Sequence, residues 1–422
     1  MDPESFLKLL FETAVAKAQP AQCLPPFLEK IIRPSGRTVV FGAGKASAAM
    51  AQVAERHLAW PLEGLVVTRY GHAVPCQQLE IVEAGHPVPD QNGVTAAARM
   101  LETAAGLNRN DLALCLISGG GSSLLSLPAP GLSLPDKQCV TTLLLKSGAT
   151  IHEMNCVRKH LSAIKGGKLA AETAPAKLLM FAISDVVGDD LAVIASGPTV
   201  ADSSTFEDAL EILLKYNIQE PLSVLQHLQK AESETLKVQD QFLKNVENYL
   251  IATPMQSLEA AAQVVSAAGM KAQILGDNIE GESGKVAQEQ AAIALAVQQQ
   301  LSSDSKPTVL LSGGETSVKV SGSGRGGPNT EFLLTLMQEL QGRAGIWALA
   351  CDTDGIDGTE DNAGALITPQ SFIKASNLGL EPAVFLADND AYSFFEALGD
   401  LVSPGPTMTN VNDFRAILVM SQ

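Results

Sequence analysis

Four apolar runs, each ending in a turn with hydroxyl or charged residues and three of them directly in glycine, constrain this chain more than any other feature. They are Val39-Val40-Phe41-Gly42-Ala43-Gly44-Lys45, Leu114-Cys115-Leu116-Ile117-Ser118-Gly119-Gly120-Gly121-Ser122-Ser123, Phe181-Ala182-Ile183-Ser184-Asp185 and Val309-Leu310-Leu311-Ser312-Gly313-Gly314-Glu315. A buried strand that runs into a glycine turn lets backbone N–H groups approach an anion closely. In open α/β sheets, ligands collect at the carboxyl ends of strands. Four such ends predict an enzyme that handles phosphate or another anion.

With 422 residues the chain can build two or more domains with substantial cores. Its 46% hydrophobic and 18% charged content is that of a globular protein. A net charge of −17 argues against general nucleic-acid binding, which needs a basic excess. It leaves room for a small anionic substrate, because a local basic patch focuses the field inside a cleft. The six cysteines (Cys23, Cys76, Cys115, Cys139, Cys156, Cys351) show no zinc or redox spacing and suit a reducing compartment. No signal peptide and no apolar run of roughly 18 residues is evident, so a soluble cytoplasmic protein without membrane partners is expected.

Helical apolar spacing covers residues 5–18, and the Ala-rich stretch 46–58 and residues 94–105 also read as helices. Short apolar runs at 38–41, 62–68, 79–84, 112–117 and 177–183 read as strands between them. Nearly continuous apolar strands alternating with helices predict a mainly parallel sheet covered on both faces. The polar, charged segment Gln229 to Asn248 reads as a boundary helix or linker. A second pattern then follows: strands at 249–252, 272–275, 308–312 and 346–351, helices at 255–268, 283–301 and 329–341, and a last strand near 415–420. We expect an N-terminal domain over residues 1–235 and a C-terminal α/β domain over 236–422.

The individual motifs differ in what they specify. Gly42-Ala43-Gly44-Lys45-Ala46-Ser47 fails the Walker A pattern, with Val39 and Ala46 in the first Gly and the Ser/Thr positions. It is also an imperfect dinucleotide fingerprint: Ser47 replaces the third glycine, and the acid nearest the required spacing, Glu63, precedes the next strand. Lys45 is nevertheless well placed to neutralise an anion at a helix start. The glycine run between Ser118 and Ser122 carries an entropic cost that makes sense if its backbone donors surround phosphate oxygens. Residues 151–170 carry Arg158, Lys159, Lys165 and Lys168 against the single carboxylate Glu153, a local charge reversal suited to a carboxylate or phosphate. Asp185 and Asp189, after another strand, are candidate Mg²⁺ ligands, with helix capping as the competing role. The loop Gly322 to Asn329 offers Arg325 as a mobile cation over a transferring phosphoryl group. Asp352-Thr353-Asp354-Gly355-Ile356-Asp357-Gly358 is not an EF-hand, because Ala363 occupies the twelfth position. The histidines, His72, His86 and His160 among them, do not cluster and read as surface or capping residues.

Taken together and in order, GAGKAS (42–47), SGGGSSLL (118–125), NCVRKHLSAIKGGKLA (155–170), SDVVGDD with ASGPT (184–199), LSGGETSV (311–318), DTDGIDG (352–358) and GPTMTNVNDF (405–414) resemble the class II glycerate 2-kinase family, which carries a C-terminal MOFRL domain. The resemblance spans nearly the whole chain. It implies a Rossmann-like N-terminal domain, a second α/β domain with the MOFRL region at about 305–420, and an active-site cleft between them. It further implies transfer of the ATP γ-phosphate to the 2-hydroxyl of D-glycerate with Mg²⁺. Lys45 and Arg325 match the positions the family is thought to use in catalysis. One departure stands out: Pro328 and Thr330 occur where the family usually has arginine and glutamine in GGRNQE.

From these readings, Lys45, Arg325 and Asp189 are the expected catalytic residues, with Asp189 and Asp185 on the metal. The expected substrate and nucleotide contacts are Gly44, Ser118, Gly119, Gly120, Gly121, Ser122, Ser123, Arg158, Lys159, Gly313, Gly314, Glu315, Asn329, Asp354, Thr407 and Asn410. Small-molecule substrates are the expected partners, and a homodimer is compatible with the chain. Two rivals remain open: an NAD(P)H-dependent hydroxypyruvate reductase, and a nucleotide- or sugar-acid-binding protein without turnover.

Overall fold

A computed structural model describes residues 2–421, which form two compact units. One runs from Pro20 to Ile251; the other joins the chain up to Gln19 to everything from Ala252 onward. The chain thus changes unit at 251/252, later than the expected 235/236, and the first helix belongs with the C-terminal part. Both differences have a packing cause. The first helix, Pro3–Ala18, starts on Asp2, whose carboxylate accepts the Ser5 N–H (3.1 Å), with Pro3 preset for the first turn. It then buries Phe6, Leu7, Leu10 and Phe11 against Leu258, Leu349 and Phe414, all beyond residue 252. The polar stretch ahead of residue 248 ends in a strand of the first sheet rather than a domain linker.

The sheet of the first unit comprises β1 (Thr38–Ala43), β2 (Glu63–Arg69), β3 (Glu80–Ala84), β4 (Leu112–Ile117), β5 (Lys177–Ile183) and β6 (Val246–Ala252). Their spatial order is β3-β2-β1-β4-β5-β6, and the pairings from β3 through β5 are parallel. β1 and β4 are buried at every position, as strands covered on both faces must be. β6 is half-exposed at the edge, which explains its polar composition. The strand order is that of a doubly wound dinucleotide fold, and its direction of winding reverses between β1 and β4. That reversal leaves a crevice beyond the carboxyl ends of these two strands, where the first two glycine turns lie.

The second unit contains β7 (Lys271–Gly276), β8 (Gly281–Glu282), β9 (Thr308–Gly314), β10 (Thr316–Ser317), β11 (Ile346–Asp352), β12 (Gly364–Ile367), β13 (Leu401–Val402) and β14 (Asp413–Val419). Its main sheet has the order β13-β12-β11-β14-β9-β7, with only the β7–β9 pair parallel. Helices Ser283–Gln300 and Pro328–Leu340 pack in one core with this sheet, the first through Val286, Ala291 and Ala294 and the second through Phe332, Leu333 and Leu336. Among the described residues, no helix is long and apolar enough to cross a membrane.

Candidate active site

In the first unit the turns after β1 and β4 lock onto each other. Gly44 has φ +146°, and a Cβ there would lie 2.1 Å from Ser118 Oγ and 2.5 Å from Ser118 O, so only glycine fits. Ser118 Oγ accepts the Ala46 N–H (2.9 Å) and contacts Ser47 Oγ (3.1 Å), while the Lys45 N–H donates to Gly119 O (2.8 Å). Ser118 therefore pins the two turns together instead of facing a ligand. Ser47, at the position of the missing third glycine, belongs to the same clasp. In the glycine run, the Gly121 and Ser123 N–H groups are committed to Ser118 O and Gly120 O. The hydrogen bonds found leave Gly119, Gly120 and Ser122 as the uncommitted donors of this loop. Gly120, at φ +81°, lies against the His86 ring and the Lys45 stem; a Cβ there would be 2.8 Å from His86 Nε2 and 3.5 Å from Lys45 Cγ.

Gly120, with Ser122, Ser123 and His86, borders a cavity of about 440 Å³, within the range of small-ligand sites. Its wall includes His86, Gly120 and Ser122, and three cationic side chains: Lys137, Arg158 and Lys165. Among the described residues, no aspartate or glutamate lines it. Arg158 arrives in the last turn of helix Ile151–His160, which begins with a reciprocal Thr150–Glu153 cap. Its guanidinium has no hydrogen bond or ion pair among the described residues, and burial lowers its proton affinity without discharging it. Lys159, one residue on, points elsewhere, since adjacent helical positions do not share a face. Its amine is buried in an ion pair with Asp202 (3.0 Å), so its expected role as a substrate contact gives way to a structural one.

Lys137 is the residue that sequence reasoning missed, and Lys165, noted there only within the basic run, joins it at the pocket. Lys165 Nζ donates to Ser122 O (2.8 Å) and Ala195 O (3.2 Å); Lys137 Nζ donates to Ser126 O (3.2 Å) and Leu127 O (3.4 Å). Each ammonium can donate three hydrogen bonds, so one remains for a ligand. Burial, reinforced by the charges of Arg158 and Lys168, pushes the Lys137 amine down to about 7. Lys165 is held well below the usual amine range by burial and by the charges of Lys137 and Arg158. Ser122 and Ser196 hydroxyls meet at 2.7 Å, and Ser196 donates on to Asn155 Oδ1 (3.0 Å). Ala195 and Ser196 both sit at left-handed φ (51° and 60°), a strained arrangement that keeps the Ala195 carbonyl on Lys165. His86, expected to be a surface or capping residue, is part of the cavity wall.

Asp185 and Asp189 lie on the loop after β5, with Asp189 in left-handed backbone (φ 56°) behind Gly188. No group of three or more His, Cys, Asp or Glu side chains placed for a metal occurs among the described residues. Two carboxylates suffice for Mg²⁺ only when substrate phosphates complete its shell, so this loop fits the ion as part of a nucleotide complex. A second groove of about 370 Å³ opens near the amino ends of β4 and β5, lined by Phe27, Phe181 and Tyr249. It is remote from the glycine turns along the strands, and its Lys177 is paired with Glu247 (2.7 Å).

The remaining expected site residues belong to the second unit. Arg325 is held by Glu360 through Nε (2.9 Å) and Nη2 (2.5 Å) and stacks over Tyr392 (4.2 Å). Asn329 is buried, donating from Nδ2 to Asp413 Oδ1 (2.7 Å) and from its N–H to Asp357 Oδ1 (2.9 Å). Asp357 receives the Asn329 and Thr330 N–H groups and the Thr330 hydroxyl (2.8 Å), placing a carboxylate at the start of helix Pro328–Leu340. Burial pushes Asp357 up to about 6 against the pull of these donors. The Asp354 carboxylate accepts the Ile356 N–H (2.9 Å) within its own turn. Thr407 donates to Thr353 O (2.6 Å), and Asn410 accepts the Asn412 N–H (3.0 Å). Gly313 and Gly314 end β9, where Gly314 presses on the Ile279 backbone, and Glu315 is exposed.

The two departures at 328 and 330 have a local explanation: Pro328 occupies the first turn, where it is preorganised, and Thr330 ties Gly327 to Asp357. Thr330→Ala is expected to lower stability by about 1–3 kcal/mol, the cost of leaving buried partners unpaired. Urea unfolding of both proteins checks this; equal midpoints would contradict the assigned tie.

Known proteins place this architecture. Residues 6–229 match a domain of unknown function, DUF4147, and residues 308–413 match the MOFRL family. A D-glycerate 2-kinase of Thermotoga maritima is 40% identical, over 99% of this chain and 100% of its own. The crystal structure of a glycerate kinase from that organism superposes with a TM-score of 0.89 at 39% identity, covering 99% of this chain and 100% of that one. A protein of Agrobacterium vitis, named for a proposed hydroxypyruvate reductase activity, is 50% identical over 98% of this chain and 94% of its own.

Proposed function

This chain belongs to the MOFRL-domain glycerate 2-kinase family, and from that premise we propose that it transfers the γ-phosphoryl group of ATP to the 2-hydroxyl of D-glycerate, giving 2-phosphoglycerate and ADP. The observation that carries the reading is the meeting of the glycine turn, with the Lys45 stem beside Gly120, and three basic side chains on one pocket that no carboxylate lines among the described residues, at the reversal point of the parallel sheet. Phosphoryl transfer needs mainly positioning and charge neutralisation, which such a pocket supplies. In this reading Arg158 pairs with the glycerate carboxylate, as an unpartnered guanidinium is suited to do. Lys45 and the amides of Gly119, Gly120 and Ser122 meet the phosphoryl oxygens. Arg325 adds charge neutralisation once released from Glu360. Asp189 and Asp185 are the residues that would hold a Mg²⁺ ion, which would supply further charge neutralisation. The 2-hydroxyl oxygen bonds to phosphorus as the bond to the ADP oxygen breaks, and the hydroxyl proton is released.

The reductase name carried by the Agrobacterium vitis relative is the second reading. An NAD site places an acid at the carboxyl end of the second strand to hold a ribose, where this strand ends in Arg69. Here Glu63 opens β2 at the other end and pairs with Arg37 (3.0 Å). ADP release that requires both D-glycerate and ATP, with no NADH oxidation by hydroxypyruvate, is the expected result. NADH oxidation without ADP release would reverse the choice, and tight binding without either product would leave a binding protein.

The pocket also predicts a pH dependence. In free protein the Lys137 amine is displaced from about 10.5 down to about 7, so above pH 7 it is mostly neutral. A bound anion favours its charged form and raises it again. Binding of D-glycerate is therefore expected to take up protons between pH 7 and 10 and to weaken as pH rises through that window. Calorimetric titrations at pH 8 in two buffers of different ionisation enthalpy read this directly. Equal apparent enthalpies would contradict it.

A further inference from the structure

We propose that the pocket around Lys137, Arg158 and Lys165 recognises 2-hydroxy acids bearing two carboxylates, with Lys137 as the residue that reads the second one. This rests on the kinase reading of the same site. The argument begins with charge. Glycerate brings one carboxylate, and Arg158 alone, with all its donors uncommitted, can hold one in a bidentate pair. Lys137 and Lys165 then remain as buried amines with no acidic side chain on the wall among the described residues. Burial without a counter-charge favours their neutral forms, and an anion beside them restores the charge. Each donates to two backbone carbonyls, so the protonated amine keeps one N–H for a ligand.

The placement of the two lysines separates their roles. Lys165 bonds to the carbonyl of Ser122, within the glycine turn that faces the phosphoryl group. Lys137 comes from another direction, on helix Leu134–Lys146, beside Gln138, Thr141 and Thr142 on the same wall. Its amine caps Ser126 and Leu127, past the end of the glycine turn. The cavity, at about 440 Å³, has room for more than a three-carbon monoacid. A second carboxylate on carbon 2 neutralises Lys137 while the first stays on Arg158. The depressed proton affinity of Lys137 is consistent with a cation that waits for such a partner.

Hydroxymalonate, the smallest 2-hydroxy dicarboxylate, is the probe; both its carboxyls are ionised at pH 7. Calorimetric titration of the full-length protein at pH 7 with hydroxymalonate and with D-glycerate is expected to show about tenfold tighter binding of the dicarboxylate, the factor of one charge-assisted hydrogen bond. Lys137→Met should abolish that preference and Lys137→Arg should retain it. Met keeps the buried stem, so folding is expected to survive; the wild-type ratio tests the proposal even if it does not. Equal or weaker binding of hydroxymalonate by the wild type overturns the proposal. So does Lys137→Met weakening a non-hydrolysable ATP analogue as much as hydroxymalonate, since the pocket would then be a nucleotide-phosphate site. D-glycerate turnover is measured on the same preparation. Normal turnover without a dicarboxylate preference overturns this inference alone, whereas absent turnover overturns the kinase reading beneath it.

Discussion

Lys45→Met is expected to lower turnover with ATP and D-glycerate by about two to three orders of magnitude, the usual effect of deleting one preorganised charge contact to a transition state. The stem of Lys45 lies beside Gly120 and its backbone N–H is fixed on Gly119 O, so its charged end is presented by a rigid turn. Methionine preserves the stem and leaves the backbone bond intact, so the unfolding midpoint should barely move. KM for D-glycerate should change far less than kcat, because the carboxylate is assigned to Arg158. A variant that turns over within about tenfold of wild type would remove Lys45 from the chemistry.

Gly44→Ala is expected to damage the first unit severely. The added methyl would sit 2.1 Å from Ser118 Oγ in backbone at φ +146°, so the residue combines steric overlap with conformational strain. Together these cost about 3 kcal/mol or more. For a unit of this size that is a fall of roughly 10 °C in unfolding temperature. Turnover should fall with it, since the clash separates the two turns that carry Lys45 and the glycine loop. Gly131→Ala is the control: Gly131 has φ +84° but nothing within 4 Å of a Cβ, so only backbone strain is paid. Thermal unfolding of both variants separates the effects. Equal, small losses would mean that the clasp between the turns is not rigid.

Much of this arrangement was legible in the chain because strand ends are marked locally. An apolar run followed by a polar or glycine turn is a short-range pattern; it located the ends of β4 and β5, whereas the expected ends of β1 and β9, at 41 and 312, fall short of Ala43 and Gly314 because their glycines continue the strands. The cations at the pocket were only half legible. Arg158 stood out in a basic run, but nothing local says that Lys159 turns to Asp202, 43 residues on. Lys137 was overlooked because lysine on a helix reads as solvated. Its spacing to Val140 and Leu144 was the available signal, since all three are buried on one face of helix Leu134–Lys146. The domain boundary was misplaced because an exposed edge strand and a linker share the same polar composition. The attachment of helix Pro3–Ala18 to residues beyond 252 is a long-range packing choice that no periodicity reveals. In the second unit, apolar runs marked β7, β9, β11 and β14 but not the short β12, and the mostly antiparallel pairing depends on connections that alternation alone does not specify.

The central claim is transfer of a phosphoryl group to the 2-hydroxyl of D-glycerate, and phosphorus NMR of the reaction mixture tests it most directly. Purified protein with ATP, Mg²⁺ and D-glycerate should produce a phosphomonoester resonance coincident with added 2-phosphoglycerate, together with ADP, and the Lys45→Met variant should produce it far more slowly. A resonance coincident with 3-phosphoglycerate, or intact ATP after prolonged incubation, would contradict the account.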